Sequence, residues 1–185
     1  MKDDYVSKLK SVATGKNVLV FLIPASVIYL VMLLYTIPDV KQYALEMEIF
    51  DMSPAGYSYE YAMQLLGELG VAGRDSYLYK QLPLDFIYPA LFAMSSCLLM
   101  AWVFSKGKAL APGMYYLCLV PIVAGFLDYL ENIQVILMIF NYPNVSENQV
   151  AMASLTTIAK SGLTTIFFVI LVVGFIRVAL VQRTG

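Results

Sequence analysis

The sequence predicts an all-α membrane protein: a four-transmembrane-helix up-down-up-down bundle, with an amphipathic outer helix between helices 1 and 2. Three observations carry this. The 185-residue chain is 60% hydrophobic and only 14% charged, well outside soluble usage. Four apolar runs, at about 18–37, 82–104, 114–140 and 150–181, reach the roughly 20 residues that a hydrocarbon core demands. None of them alternates as a barrel strand would, and lipid accepts only helices or closed barrels. The whole of 1–185 therefore reads as one transmembrane domain.

Each span can be justified in turn. The first follows Lys2, Lys8, Lys10 and Lys16. A basic start before an apolar run also suits a signal peptide, but Pro38-Asp39-Val40 offers no small-residue cleavage site, so a retained span is expected. The segment 38–81 is too long for a plain turn. Within it Tyr59, Ala62, Leu65, Leu66 and Leu69 recur at helical spacing, with Glu60, Gln64 and Glu68 between them, which predicts the amphipathic outer helix. Gly73-Arg74-Asp75-Ser76 reads as a helix stop followed by a new N-cap, opening a long second helix from Tyr77. Residues 105–113, a basic turn closed by Pro112-Gly113, and 141–149 are short links, and short links favour antiparallel neighbours.

Orientation follows from the basic residues. Besides the four N-terminal lysines, Lys106, Lys108, Arg177 and Arg183 fall on one side, against Lys41, Arg74 and Lys80 on the other. The positive-inside rule then places both termini in the cytoplasm of a plasma (inner) membrane protein. Asp39, Glu46, Glu48, Asp51, Glu60, Glu68, Asp75 and Glu147 make the outer surface acidic.

Polar residues inside the spans mark the candidate site. A charged group at the bilayer centre costs about 2.5–3.5 kcal/mol on the insertion scale, so Asp128, Glu131 and Asn132 on one helix need partners or a task. At 100° per residue they share one arc, with Gly125 keeping that face open. On the fourth span Ser154, Thr157, Lys160, Ser161 and Thr164 form a matching stripe. Glu131 lies about 15 Å below the outer end of its helix and Lys160 at nearly the same depth, so an ion pair is expected there. Asp85 and Tyr88 would contribute from the second span, with Arg74 at the entrance. Two facing polar stripes predict an outward-facing hydrated cavity.

Asp85, Asp128 and Glu131 are the candidate catalytic acids or bases. Arg74, Tyr88, Asn132, Thr157, Lys160 and Ser161 are the candidate ligand-binding groups. Burial and crowding of carboxyls produce general acids at neutral pH, but the same network can simply hold helices together. With no histidine, the commonest general base and most zinc and haem sites are excluded. Three carboxyls and an amide suit a hard cation, but Lys160 at that depth opposes one, so no metal is expected. Thr157, Lys160 and Ser161 invite a nucleophile, yet no oxyanion-hole element accompanies them. Cys97 and Cys118 belong to no Cys-x-x-Cys pair and read as apolar filler. No phosphate loop and no basic nucleic-acid surface is present, and no cofactor is implied.

Two resemblances add to this. Pro54-Ala55-Gly56-Tyr57-Ser58, Leu69-Gly70, Gly73-Arg74 before Tyr77, Leu82-Pro83-Leu84-Asp85 with Tyr88-Pro89, and Phe126-Leu127-Asp128-Tyr129-Leu130-Glu131-Asn132 resemble the pattern of a widespread group of small four-span membrane proteins without an assigned activity. That likeness, covering most of 54–160, implies the fold and the site positions. The chain also resembles, more faintly, the emopamil-binding (EXPERA) family, in its outer helix, in Asp85 at the start of the second span and in the acids of the third. This implies a lipid-like ligand. That family's isomerase chemistry draws on cavity histidine and tryptophan, whereas here histidine is absent and Trp102 lies near the cytoplasmic end.

Three functions are compatible with these residues. The leading expectation is a protein that binds, with acid/base alteration as an option, an amphipathic lipid or hydrophobic small molecule. Asn132 would orient this ligand, while Lys160 and Arg74 balance charge or hold an anionic head. The second is a structural or accessory membrane subunit. The third is a proton or ion pathway, which would need a homo-oligomer because four helices leave little room for alternating access.

Overall fold

The computed structural model describes residues 2–106 and 111–183. Lys108 and the middle of the expected basic turn at 105–113 lie outside the described residues. Helix α1 (Lys2–Val12) leads into α2 (Gly15–Lys41); α3 (Tyr59–Glu68) is followed by α4 (Gly70–Lys106), α5 (Pro112–Asn141) and α6 (Glu147–Arg183). Four of them, α2, α4, α5 and α6, are long and apolar enough to cross a membrane, and the chain is an all-helical membrane protein. Central to the bundle is α4, which packs against α2, α5 and α6 and most extensively against α2, while α5 and α6 also pack closely on each other.

The long helices begin and end further out than the apolar runs, because polar residues at their ends still complete the backbone ladder. Thr14 caps α2, accepting from the backbone N–H of Asn17 at 3.2 Å. The N-terminal helix α1 was not expected from the sequence. It buries Val6 and Leu9 against α4 and the start of α5, and stacks Tyr5 on Tyr116 at 5.3 Å. Its apolar positions three apart are too few to register beside its many lysines.

The expected outer helix is α3. Ser58 caps it by accepting from Tyr61 N–H at 3.2 Å, and Ala62, Leu65, Leu66 and Leu69 are buried as their spacing requires. The expected stop at Gly73-Arg74-Asp75-Ser76 is not where the chain breaks. The break falls at Leu69–Gly70, where Gly70 takes φ +57°, and α4 then runs through Gly73. A glycine in left-handed geometry ends a helix more decisively than one that merely lowers propensity. Ser76, expected to cap a helix start, instead donates its hydroxyl to Asp39 on α2.

Two apolar cores result. One lies at the end carrying residues 42–69, called here the cap end, and joins α3 to Ile49, Phe50, Tyr77, Val135 and Met138. The other lies at the terminal end, around Met100, Tyr115, Cys118 and Phe167. Between them sits a polar layer.

Candidate functional site

Helix α5 supplies the centre of this layer. Glu131 and Asn132 are fully buried and Asp128, one turn away on the same face, is 7% exposed. From α6, Lys160 reaches back to form ion pairs with Glu131 and with Asp128 Oδ1, the latter at 3.2 Å. Thr157, one turn from Lys160, donates its hydroxyl to Glu131 Oε1 at 2.5 Å. The ion pair expected from matching depths is therefore present, and it is shared between two carboxylates. From α4, the backbone carbonyl of Asp85 accepts from Asn132 Nδ2 at 2.7 Å, which ties α4 to α5. Asp85 itself is 4% exposed. Gly125, expected to hold this face open, does the opposite. A Cβ there would meet Ala93 Cβ and the Pro89 carbonyl oxygen at 2.9 Å each, so the glycine lets α4 and α5 close together.

A fourth acid completes the layer. Asp51 read as an outer-surface residue, but the structure turns its carboxylate inward. Tyr77 Oη donates to Asp51 Oδ1 at 2.9 Å and Gln81 Nε2 to Asp51 Oδ2 at 3.2 Å. Gln81 is held in turn by the hydroxyl of Thr36. Both helices carry a π-helical turn at this level, Met32–Thr36 in α2 and Tyr77–Gln81 in α4, and these turns bring Thr36 and Gln81 into contact. Burial lifts the Asp51 carboxyl to about 6; the negative charge of Glu131 lifts it further, while Lys160 and the Tyr77 hydrogen bond oppose. The sequence held one usable signal for this. Tyr77 and Gln81 are four residues apart on one helical face, and a buried glutamine needs a polar partner.

The segment between Ser53 and Ser58 closes the layer from the cap side. The Tyr57 backbone N–H donates to Ser154 Oγ at 2.8 Å. Gly56, at φ +82°, leaves no room for a side chain, since a Cβ would stand 2.5 Å from the same Ser154 oxygen. The Tyr57 side chain then enters the interior near Thr157, where its hydroxyl is buried without a hydrogen bond of good geometry.

The remaining expected site residues divide. Thr157 and Asn132 belong to the polar layer. Arg74 does not: its guanidinium donates to the Leu66 carbonyl at 2.6 Å and lies over the Tyr142 ring at 4.6 Å. From the cap end it satisfies one of α3's last carbonyls instead. Ser161 is half-buried and its side chain joins no bond of the layer among the described residues. Tyr88 stacks between Tyr29 and Phe92, with ring centroids 5.6 and 5.7 Å apart.

Tyr88 also marks the cavity. The polar layer is covered on its cap side, where an open hydrated mouth was expected. On the other side a cleft of about 420 Å³ opens between α2 and α6, floored by α4. Its walls are chiefly apolar, from Leu22, Ala25 and Tyr29 on α2 to Phe167, Phe168 and Leu171 on α6. At its upper end stand Asp128 and Lys160; Asp85 and Glu131 do not line it. Among the described residues no group of three or more His, Cys, Asp or Glu side chains converges as a metal site.

The chain is thus a polytopic helical membrane protein with a closed polar layer and an open, mostly apolar cleft that share one acid and one base. No family model, curated protein or solved structure matches it.

Proposed function

We propose that the protein binds an amphipathic lipid or hydrophobic small molecule in the cleft between its first and fourth spans, with the molecule's polar end at Asp128 and Lys160. The observation that carries this is the cleft itself. It is chiefly apolar, with Ser26, Ser95, Ser96 and Thr164 among its lining residues, and finished at one end by two charged side chains. That is the polarity profile of an amphiphile lying along the helices, and pockets of this size with a few convergent polar groups are the usual form of a small-molecule site. With the termini in the cytoplasm, as the basic residues favour, the charged end sits in the outer leaflet and the ligand enters sideways from lipid. Any acid/base alteration of the ligand falls to Asp128, the one carboxyl among the described residues that lines the cleft. We place the chain, on its Leu82-Pro83-Leu84-Asp85 and Asp128-Tyr129-Leu130-Glu131-Asn132 runs, with the small four-span group that it resembles.

The scaffold reading retains a share of the residues. Glu131, Asn132 and Thr157 are fully buried and bonded between helices, which suits interhelical glue. They position the binding residues. Native mass spectrometry of protein extracted from its own membrane tests the proposal, with Ser26→Phe as the variant that fills the cleft from α2. A bound species of lipid mass on the wild type, depleted about tenfold in the variant, is expected. Bare protein in both samples overturns the proposal and leaves the scaffold role.

A further inference from the structure

The terminal end of the bundle carries a second site, independent of the cleft. We infer that the seam between α4 and α6 at this end holds an anionic phospholipid, with its phosphate at Lys106 and Arg177 and its acyl chains in two apolar grooves that flank the seam.

The helices set the two cations at one level. One returning helix separates α4 from α6, so the two run in the same direction. They close on each other at Gly174, where a Cβ would stand 3.1 Å from Val103 Cγ1 and 3.5 Å from Phe104 Cε1. Three residues further along each helix, about 4.5 Å nearer the terminal surface at the helical rise, come Lys106 and Arg177. Each finishes a groove. Arg177 stands with Met114 and Ile170 around a cavity of about 70 Å³, and Lys106 with Trp102 and Phe175 around one of about 320 Å³. Val103 and Val178 line both, so the grooves adjoin at the seam. Val173 and Phe175 at their rims are exposed, which lets a chain enter sideways from lipid.

Charge chooses the occupant. Arg177 is exposed and its guanidinium takes no hydrogen bond or ion pair among the described residues, while the Lys106 ammonium meets the Trp102 ring at 5.5 Å and no carboxylate. Asp4, the one acid of this end whose side chain is described, is already paired with Lys8 at 3.0 Å. Exposed Lys10 and Lys16 add to the positive field. A phosphodiester answers it with charge-assisted hydrogen bonds, and the guanidinium fork fits its oxygens in pairs. With the termini in the cytoplasm, the leaflet that meets these grooves is the anionic one, and basic pockets between spans on that side are where anionic lipid heads bind. A second copy of the chain seated on the same seam would instead bring these cations against their own likes.

The full chain in detergent is titrated at pH 7 with dioleoylphosphatidylglycerol and with dioleoylphosphatidylcholine, which share their chains and differ in net charge, and bound lipid is counted by native mass spectrometry. Phosphatidylglycerol is expected to bind at least about tenfold tighter, since each basic side chain beside an anionic head contributes about fivefold. Arg177→Gln and Lys106→Gln should each lower that preference about fivefold, and together bring it within about twofold of unity. Both residues are exposed, so neither substitution disturbs the packing. Lys8→Gln, at the same end but lining neither groove, should leave the preference within about twofold, and so should Ser26→Phe in the cleft. Glycerol 3-phosphate, a head without chains, should bind at least about a hundredfold more weakly than the lipid, because nothing then fills the grooves. Equal binding of the two lipids overturns the inference. So does a preference that falls as far in Lys8→Gln as in Arg177→Gln, which marks a diffuse basic surface, or one that Ser26→Phe abolishes, which puts the anionic lipid in the cleft. Glycerol 3-phosphate binding as tightly as the lipid overturns the role of the grooves.

Discussion

Glu131 and Asp128 stand one turn apart on the same face of α5 and share the same lysine, yet they belong to different environments. Glu131 is fully enclosed and bonded to Thr157 and Lys160, with Asp51, Tyr57 and Tyr77 near enough to feel its charge. Asp128 has the cleft on its other side and an oxygen left over. The difference teaches how a membrane helix can carry two acids of opposite purpose. Saturating one with donors makes it structural, and leaving one half-paired at an opening makes it available. Thermodynamically, the first belongs to the fold, and the second is the one that the proposed function assigns to binding.

Removing the shared cation breaks this division most severely. Lys160→Met leaves Glu131 and Asp128 facing each other, with Asp51 and Asp85 nearby, and no compensating charge. Breaking a buried pair by deleting one partner costs about 3–5 kcal/mol, because the survivor stays uncompensated. A thermal-unfolding series in detergent should therefore place Lys160→Met lowest of the single variants. Adding Glu131→Gln to it should recover about half of the loss, since the amide can still accept from Thr157 without a charge. A Lys160→Met variant as stable as wild type would mean that the ion pairs contribute nothing to holding α5 on α6.

Asp51 gives a smaller effect with a sign that can be read from pH. Its carboxyl titrates near 6 in the folded protein, mainly because it is buried, against about 4 when unfolded. Between those values the folded state binds the extra proton, so this group's contribution makes stability fall as pH rises from about 4 to about 6 and leaves it low above that. Unfolding midpoints of wild type measured from pH 4 to 8 should show that decline. Asp51→Asn should flatten it while keeping an acceptor for Tyr77. An unchanged slope would show that Asp51 carries its charge freely and lies outside the layer.

These residues also show what could be read from the sequence. The four spans and their antiparallel order were legible because hydrophobic length is a one-dimensional property. The Lys160 pair was legible because helical rise converts position into depth, and the shared arc of Asp128, Glu131 and Asn132 because rotation is fixed at 100° per residue. The cap was not. Asp51 sits in a segment whose only long-range instructions are Tyr77 and Gln81, and nothing local distinguishes it from its exposed neighbours Glu46 and Glu48. Arg74 failed for a related reason: an arginine near acids in sequence depth went instead to the nearest free carbonyl and ring. The cleft escaped because it arises from α2 and α6 standing apart on α4, a consequence of packing that no single helix records.

Tyr57 yields the smallest change and the sharpest division between cap and cleft. Its hydroxyl is buried without a well-formed hydrogen bond, while its ring tilts against Phe50 at 4.7 Å. A buried donor left unmet costs about 1–3 kcal/mol, so Tyr57→Phe should be neutral or raise stability by about 1 kcal/mol, with the ring contact kept. Tyr57 does not line the cleft, so the substitution should also leave retention of the co-purifying species within about twofold of wild type. Unfolding midpoints and native mass spectrometry, run on the same preparation, read both quantities. A loss of stability would mean that water or Thr157 satisfies the hydroxyl and that the layer is wet beneath its cap. A loss of binding at unchanged stability would mean that ligand reaches past Asp128 into the polar layer, joining the two regions that the helices otherwise keep apart.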